Sequence, residues 1–229
     1  MRYQGVDEVD PRARVFCVES GDLFQVATSR GSLPLPPYIA RPEGITDEDN
    51  ERYQTVYARP PGSVAAPTAG LHFTQDLLDQ IDHEFVTLHV GPGTFLPMEA
   101  EDVRAHRVGT ERFSVSEAAA AKIGSARRDA RPIIAVGTTT TRALESVARG
   151  HGGRIVPGRF STDLVITPGF EFRVIDGLLT NFHLPRSSLL MLVCSLGGVE
   201  QVLAAYAEAV REGYRFYSYG DAMFVRRRT

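Results

Sequence analysis

The stretch Thr180-Asn181-Phe182-His183-Leu184-Pro185-Arg186-Ser187-Ser188, followed by Leu189-Leu190-Met191-Leu192-Val193, constrains this chain more than any other. An amide, an imidazole and a guanidinium stand immediately before a run too apolar for anything but a buried helix. Pro185 restricts Leu184 and stops a preceding strand, so these polar groups do not continue a sheet. Ser187 or Ser188 caps the helix, whose free N–H groups face whatever lies ahead of it. Polar side chains held against a core imply a site, and the remaining sequence must supply the other walls.

Several strand-to-loop junctions offer them. Residues 132–136 read as a strand that enters Gly137-Thr138-Thr139-Thr140-Thr141-Arg142 and then a helix reaching Ala148. Open α/β folds hold ligands at strand carboxyl ends in this order of elements. Glycine, hydroxyls and a helix N-terminus suit a phosphate; a threonine-rich cap accounts for the same residues. The loop lacks the lysine and spacing of a Walker loop, and no Gly-x-Gly-x-x-Gly occurs. Glu145 lies on the first helical turns, either within reach of a ribose hydroxyl or simply favourable to the helix dipole. Small residues, Pro and Gly at 63–73 let a backbone approach a ligand closely and carry His72. Residues 85–90 form a strand ending at His89 before Gly91-Pro92-Gly93.

Four of the six histidines, His72, His89, His106 and His183, lie at such junctions. Each alone fits a structural hydrogen bond; together they favour at least one that titrates in a site. None is paired at metal-ligand spacing on one helix, so no metal site is assigned. Asp221 ends an aromatic stretch, 214–223, read as a strand. It either closes an Asx-type turn or faces a cleft.

The other elements follow from pattern. Residues 13–19 and 23–28 alternate about Ser20-Gly21-Asp22 as a hairpin. Three prolines between 34 and 37 make an extended strap and the best domain boundary. Residues 43–50 read as a surface loop and 51–57 as one or two helical turns. Thr74 caps an amphipathic helix with Leu77, Leu78 and Ile81 on one face, and Ser116 caps a helix running through Ala130. Residues 164–167 read as a strand and 170–179 as a hairpin about Asp176-Gly177. A helix over 199–212 carries Val199, Val202, Leu203, Tyr206 and Val210 on one face.

At 229 residues with 43% hydrophobic content, the chain can bury a sizeable core. No apolar run approaches the roughly 20 residues of a membrane span, and no secretory leader is seen. Cys17 and Cys194 read as reduced, cytosolic thiols, which places the protein in the cytoplasm. Net charge is −3, so the chain as a whole is no polyanion binder. Lys122 is the only lysine; the arginine excess fits either coding bias or the preference of guanidinium for phosphate. The Arg226-Arg227-Arg228 tail is either solvated end charge or a contact to nucleic-acid backbone.

With these pieces in order, the chain resembles the S-adenosylmethionine:tRNA ribosyltransferase-isomerase family of queuosine biosynthesis. The resemblance runs through PLPPYI at 34–39, ERYQTVY at 51–57, VAAPTAGLHF at 64–73 and TLHVG at 87–91. It continues through AVGTT at 135–139, RALES at 142–146, PGF at 168–170, TNFHLP at 180–185 and YRFYSYGDAM at 214–223. It implies an α/β fold: a barrel-like main domain over residues 34–229, lacking its N-terminal segments, preceded at 1–33 by the remnant of an inserted small β-barrel domain.

The resemblance also implies an activity. The ribosyl part of S-adenosyl-L-methionine passes to 7-aminomethyl-7-deazaguanine at the tRNA wobble position and is rearranged to an epoxycyclopentanediol, while adenine and methionine leave. S-adenosyl-L-methionine is thus consumed as a substrate, without a metal. On this reading His183, His72 and Asp221 form the catalytic set. Thr138, Thr139, Arg142, Glu145, Asn181, His89 and Arg186 bind substrate, with Arg142 on the methionine carboxylate and Asp221 or Glu145 on ribose or adenine. The partners are tRNA carrying the modified base and a separate N-terminal piece, with a monomer expected of the complete protein. Two departures stand out. Gly109 replaces a second histidine in the stretch from His106 to Glu111, and the N-terminal portion of the family is missing. A truncated, inactive or tRNA-binding remnant, or one half of a split enzyme, is therefore carried beside the enzyme.

Overall fold

Each part of the chain is organised by which backbone groups find a ladder and which find a side chain instead. The computed structural model describes residues 2–6, 14–36, 38–63, 65–90 and 109–228. The chain forms two compact units, Met1–Asn50 and Glu51–Thr229, and the proline-rich strap lies inside the first.

In the first unit β1 (Arg2–Val6) pairs antiparallel with β2 (Arg14–Cys17), with Tyr3 opposite Phe16 and their ring centroids 5.5 Å apart. The hairpin expected about Gly21 does not form. Residues Leu23–Arg30 are helix α1, because Asp22 closes a first turn: its carbonyl accepts from Val26 N at 3.1 Å and its carboxylate from Gln25 N at 3.4 Å. The loop expected over 43–50 is also partly helical. In α2 (Asp47–Arg52), Thr46 Oγ1 accepts from Asp49 N and Asp49 accepts from Thr46 N, a reciprocal cap. Arg41 holds the same carboxylate with two bonds of 2.7 Å, and this charge-assisted pairing drives the Asp49 acid well below the usual carboxylate range.

The second unit contains two three-stranded sheets. One is antiparallel in the order β3 (Val86–His89), β4 (Glu111–Val115), β6 (Gly158–Thr162). The other joins β5 (Ile134–Val136) in parallel to β7 (Gly177–Asn181), and β7 antiparallel to β8 (Ala222–Arg226). The mixture of helices and sheets is the α/β class read from the sequence. Helix α5 (Thr138–Gly150) packs toward both sheets. Leu144 and Ala148 join the core with Leu178, Phe182, Leu192 and Tyr206; Ala143 and Val147 join Phe113, Val115 and Ala119 of α4 (Glu117–Arg128). That is why eight residues of α5 are buried.

Ser187 Oγ accepts from Leu190 N at 3.1 Å and opens α6 (Ser188–Gly197), as expected. Gly198, with φ of +88°, separates it from α7 (Val199–Arg211). On α7 the core takes Val202, Tyr206 and Ala209. Val199, Leu203 and Val210 are exposed, so the apolar face is rotated from the one anticipated. The short helix α3 (Gln75–Leu78) is capped by Thr74 but buries Leu78 alone; Leu77 and Ile81 face solvent.

Three strand expectations are corrected. The strand expected over 164–167 does not form; the antiparallel sheet ends in Gly158–Thr162, after which Thr162 Oγ1 accepts from Leu164 N. No hairpin spans 170–179, since the N–H groups of Arg173, Val174 and Ile175 all donate to the Glu145 carboxylate and are lost to a ladder. Of the aromatic stretch only Ala222 onward is strand. Tyr217 has φ of +72° and donates its N–H to Phe182 O, which folds 214–221 into turns.

Candidate functional site

Because β5 and β7 run parallel, their carboxyl ends finish at one edge of the sheet, and β8 begins there. Gly137 N donates to Leu179 O at 2.9 Å, which fixes the start of α5 to the last turn of β7. Gly137 has φ of +89°, and a Cβ there would meet only Ala69 at 3.9 Å, so its backbone angle is what requires glycine. Ala69 belongs to the 3-10 turn Thr68–His72, which brings His72 to the same edge.

Asn181, the last residue of β7, is buried. Its Nδ2 donates to His72 Nε2 at 3.2 Å and lies 3.5 Å from Gly220 O. The amide nitrogen has only protons to offer, so His72 accepts at Nε2, which fixes its tautomer in this arrangement. Asn181 Oδ1 is buried with no hydrogen-bond partner among the described residues. An unpaired buried acceptor costs about 1–3 kcal/mol, so its presence at a strand end points to a donor brought by a ligand.

Asp221 lies at the start of β8, where its carbonyl faces Phe182 N. Its carboxylate accepts from Arg215 N at 2.7 Å and from Arg215 Nη2 at 3.2 Å. These bonds, Arg215's first, hold the acid below its ordinary pKa, and the nearby His72 contributes further. So Asp221 both closes a turn and stands charged beside His72. His183, two residues beyond Asn181, is half-buried. Its Nε2 is 2.8 Å from Thr180 Oγ1, and its backbone N–H donates to Tyr206 Oη at 2.9 Å. Burial pushes this imidazole down to about 4 and the Tyr206 phenol up to about 12. Burial thus favours the neutral form of His183 at physiological pH.

The structure thus gathers His72, Asn181, His183 and Asp221 at one sheet edge, with Thr138 buried and Thr139 half-buried at the start of α5 beside them. Other candidates lie elsewhere. Arg142 is buried, donating from Nη1 to Glu111 Oε2 and from Nε to Leu164 O, both at 2.8 Å; its Nη2 has no partner among the described residues. Burial raises the Glu111 acid more than Arg142 lowers it. Glu145 is wholly buried, and its carboxylate accepts from the N–H groups of residues 173–175. Both residues support α5 from within. His89 ends β3 in the other sheet, its ring against Gly62. Arg186 is exposed in the turn before α6 with φ of +56°. His106 lies outside the described residues.

Two residues escaped the sequence reading. Tyr206 was assigned to a core face, yet its hydroxyl anchors the His183 backbone; Arg215 sat among aromatics without a visible partner until the 214–221 turn brought it onto Asp221. Among the described residues no group of three His, Cys, Asp or Glu is placed to hold a metal ion. Among the described residues no single helix is long and apolar enough to cross a membrane.

A model of the family described as "Queuosine biosynthesis protein" matches residues 4–225. The chain belongs to the queuosine biosynthesis protein family. It is 52% identical to the S-adenosylmethionine:tRNA ribosyltransferase-isomerase of Anaeromyxobacter dehalogenans (strain 2CP-C), over 94% of this chain and 66% of that protein. It is 49% identical to the same enzyme of Desulforamulus reducens, over 98% of this chain and 66% of that one. The crystal structure of the S-adenosylmethionine tRNA ribosyltransferase from Thermotoga maritima is 40% identical and superposes with a TM-score of 0.55, over 68% of this chain and 50% of that one. The chain therefore spans about two thirds of the length of these queuosine biosynthesis relatives or less.

Proposed function

We propose that this chain transfers and isomerises the ribosyl moiety of S-adenosyl-L-methionine onto 7-aminomethyl-7-deazaguanine at the tRNA wobble position, releasing adenine and methionine. The observation that carries the reading is the buried, unpaired Asn181 Oδ1 beside His72 and Asp221 at the carboxyl edge of β5 and β7. Such an acceptor suits a ribose hydroxyl or the adenine amino group. His72 supplies proton transfer at the carbon next to the sulfonium once substrate displaces Asn181 Nδ2 from its Nε2 lone pair, and the charged Asp221 stabilises the imidazolium that forms. His183 stays neutral and acts as a hydrogen-bonding group through its ring, with Thr180 and Tyr206 fixing its position. Thr138 and Thr139 line the entrance at the α5 N-terminus; Arg186 and His89 are the outlying substrate contacts. The deprotonated carbon, the departing adenine and the entering amine all need closely placed donors and acceptors, and this edge has them.

The split form, in which a separate N-terminal piece completes the enzyme, is tested beside it. The decisive assay incubates the protein with S-adenosyl-L-methionine and tRNA bearing the modified base and follows free adenine by chromatography. Adenine formed only with that tRNA supports the transferase. Adenine formed only after the first third of a relative is added supports the split form. Tight tRNA binding with no adenine in either case refutes the catalytic reading.

A further inference from the structure

At the opposite end of the β5–β7–β8 sheet lies a cleft of about 420 Å³ that the reaction site does not use. It is reached along the strands at roughly 15 Å from Asn181, given about 3.3 Å per strand residue. Arg127, Arg131, Arg173, Arg226 and Arg227 line it, with Asp176 as its one carboxylate. Arg131 and Arg227 are offset by Asp82, Asp129 and Asp176, which leaves Arg127, Arg173 and Arg226 without a carboxylate partner among the described residues, a local positive excess in a chain of net charge −3.

Three of the five have ordinary structural work. Arg127 donates to Gly153 O at 2.6 Å and sits in the last turn of α4, where a cation favours the helix dipole; Arg131 pairs with Asp82 at 3.0 Å. Arg227 is oriented by Phe172 O and by Asp176, each at 3.2 Å. Asp176 is itself fixed, since it accepts from Ile133 N at 3.0 Å. Arg173 and Arg226 differ. They come from separate elements, and their guanidinium groups make no hydrogen bond or ion pair with the described residues. Nothing in the fold requires two arginines without partners among the described residues in one cleft. The rest of the lining is Ala130, Pro132 and Val174, with no aromatic ring on which a base could stack. Planar forks without a stacking platform match phosphate oxygens rather than bases.

We propose that this cleft holds the phosphate backbone of the RNA whose base is processed at the other end of the sheet. The inference rests on the tRNA reading above for the identity of the RNA, while the chemistry of the cleft is that of a phosphodiester site. Arg226 and Arg227 belong to this surface as the continuation of β8, while Arg228 turns to Gln201 of α7.

Binding of an unmodified tRNA transcript, followed by fluorescence anisotropy across a potassium chloride series, tests it. The Arg173→Ala/Arg226→Ala variant is expected to bind about tenfold or more weakly at moderate salt, and its salt slope is expected to fall by about two, one per lost phosphate contact. The Arg173→Lys/Arg226→Lys variant keeps most of the slope and shows that the loss is not one of folding. Unchanged affinity and slope in the alanine variant overturns the proposal, as does absence of tRNA binding by the parent protein. Tripolyphosphate binding that disappears in the alanine variant while tRNA binding persists also overturns it and assigns the cleft to a small anion. Adenine release followed against tRNA concentration is the separate readout: the alanine variant is expected to need about tenfold more tRNA for half-maximal release, and an unchanged tRNA requirement overturns the proposal. Absence of release by the parent protein counts against the transferase reading without touching the binding result.

Discussion

At the scale of single residues, the neutral imidazole of His183 has a consequence for stability. Its pKa is pushed by burial from about 6.5 to about 4, while the unfolded chain protonates at the ordinary value. Between those values the unfolded state binds a proton that the folded state does not, so stability is complete above about pH 6.5 and is lost as pH falls toward 4. The size is on the order of 2 kcal/mol. Urea midpoints measured from pH 7.5 to 4 should fall less steeply in His183→Gln than in the parent; parallel curves would refute the assignment. His72 is different: it is exposed, so His72→Ala should leave the melting temperature within a degree or two while lowering adenine release by about 10²–10⁴-fold. Sequence alone marked His72, Asn181, His183 and Asp221 through their Gly/Pro-rich junctions. It had no means of telling which histidine was desolvated, because that depends on Tyr206 and the core brought beneath it.

At the scale of elements, Glu145 and Gly137 hold α5 to the sheet edge. Glu145→Ala strips three buried N–H groups of their acceptor and should cost about 3–5 kcal/mol, read as a lowered urea midpoint with unchanged slope. A loss under 1 kcal/mol would show that the 173–175 segment finds other partners. Gly137→Ala meets no clash, with the nearest atom at 3.9 Å, so its cost of about 1–2 kcal/mol is backbone strain alone. The same residues explain what the sequence left illegible. Capped helices at Thr74, Ser116 and Ser187 were readable because the cap and the first turn are adjacent in the chain. The 170–179 segment alternates like a hairpin, yet Glu145, some thirty residues earlier, takes its N–H groups. Residues 164–167 and 214–221 fail as strands for related reasons, a side chain or a distant carbonyl capturing the backbone. Long-range capture of this kind leaves no periodic trace.

At the scale of the molecule, the second unit presents two ends of one sheet with different chemistry. One edge is compact and holds an unpaired acceptor with two imidazoles; the other is a basic cleft. A substrate with one reactive base and a long anionic backbone fits that division of labour. The family was legible from ordered motifs, and the α/β class from strand–loop–helix order. The pairing of Arg142 with Glu111 was hidden, since neither the ion pair nor its burial follows from spacing. The most direct measurement is free adenine formed from S-adenosyl-L-methionine with tRNA carrying 7-aminomethyl-7-deazaguanine, by this protein alone and with the N-terminal third of a relative, beside His72→Ala and Asn181→Leu. The account predicts tRNA-dependent adenine in at least one of the two settings, falling by at least about 10²-fold in both variants. Adenine release at parent rates from either variant would contradict it.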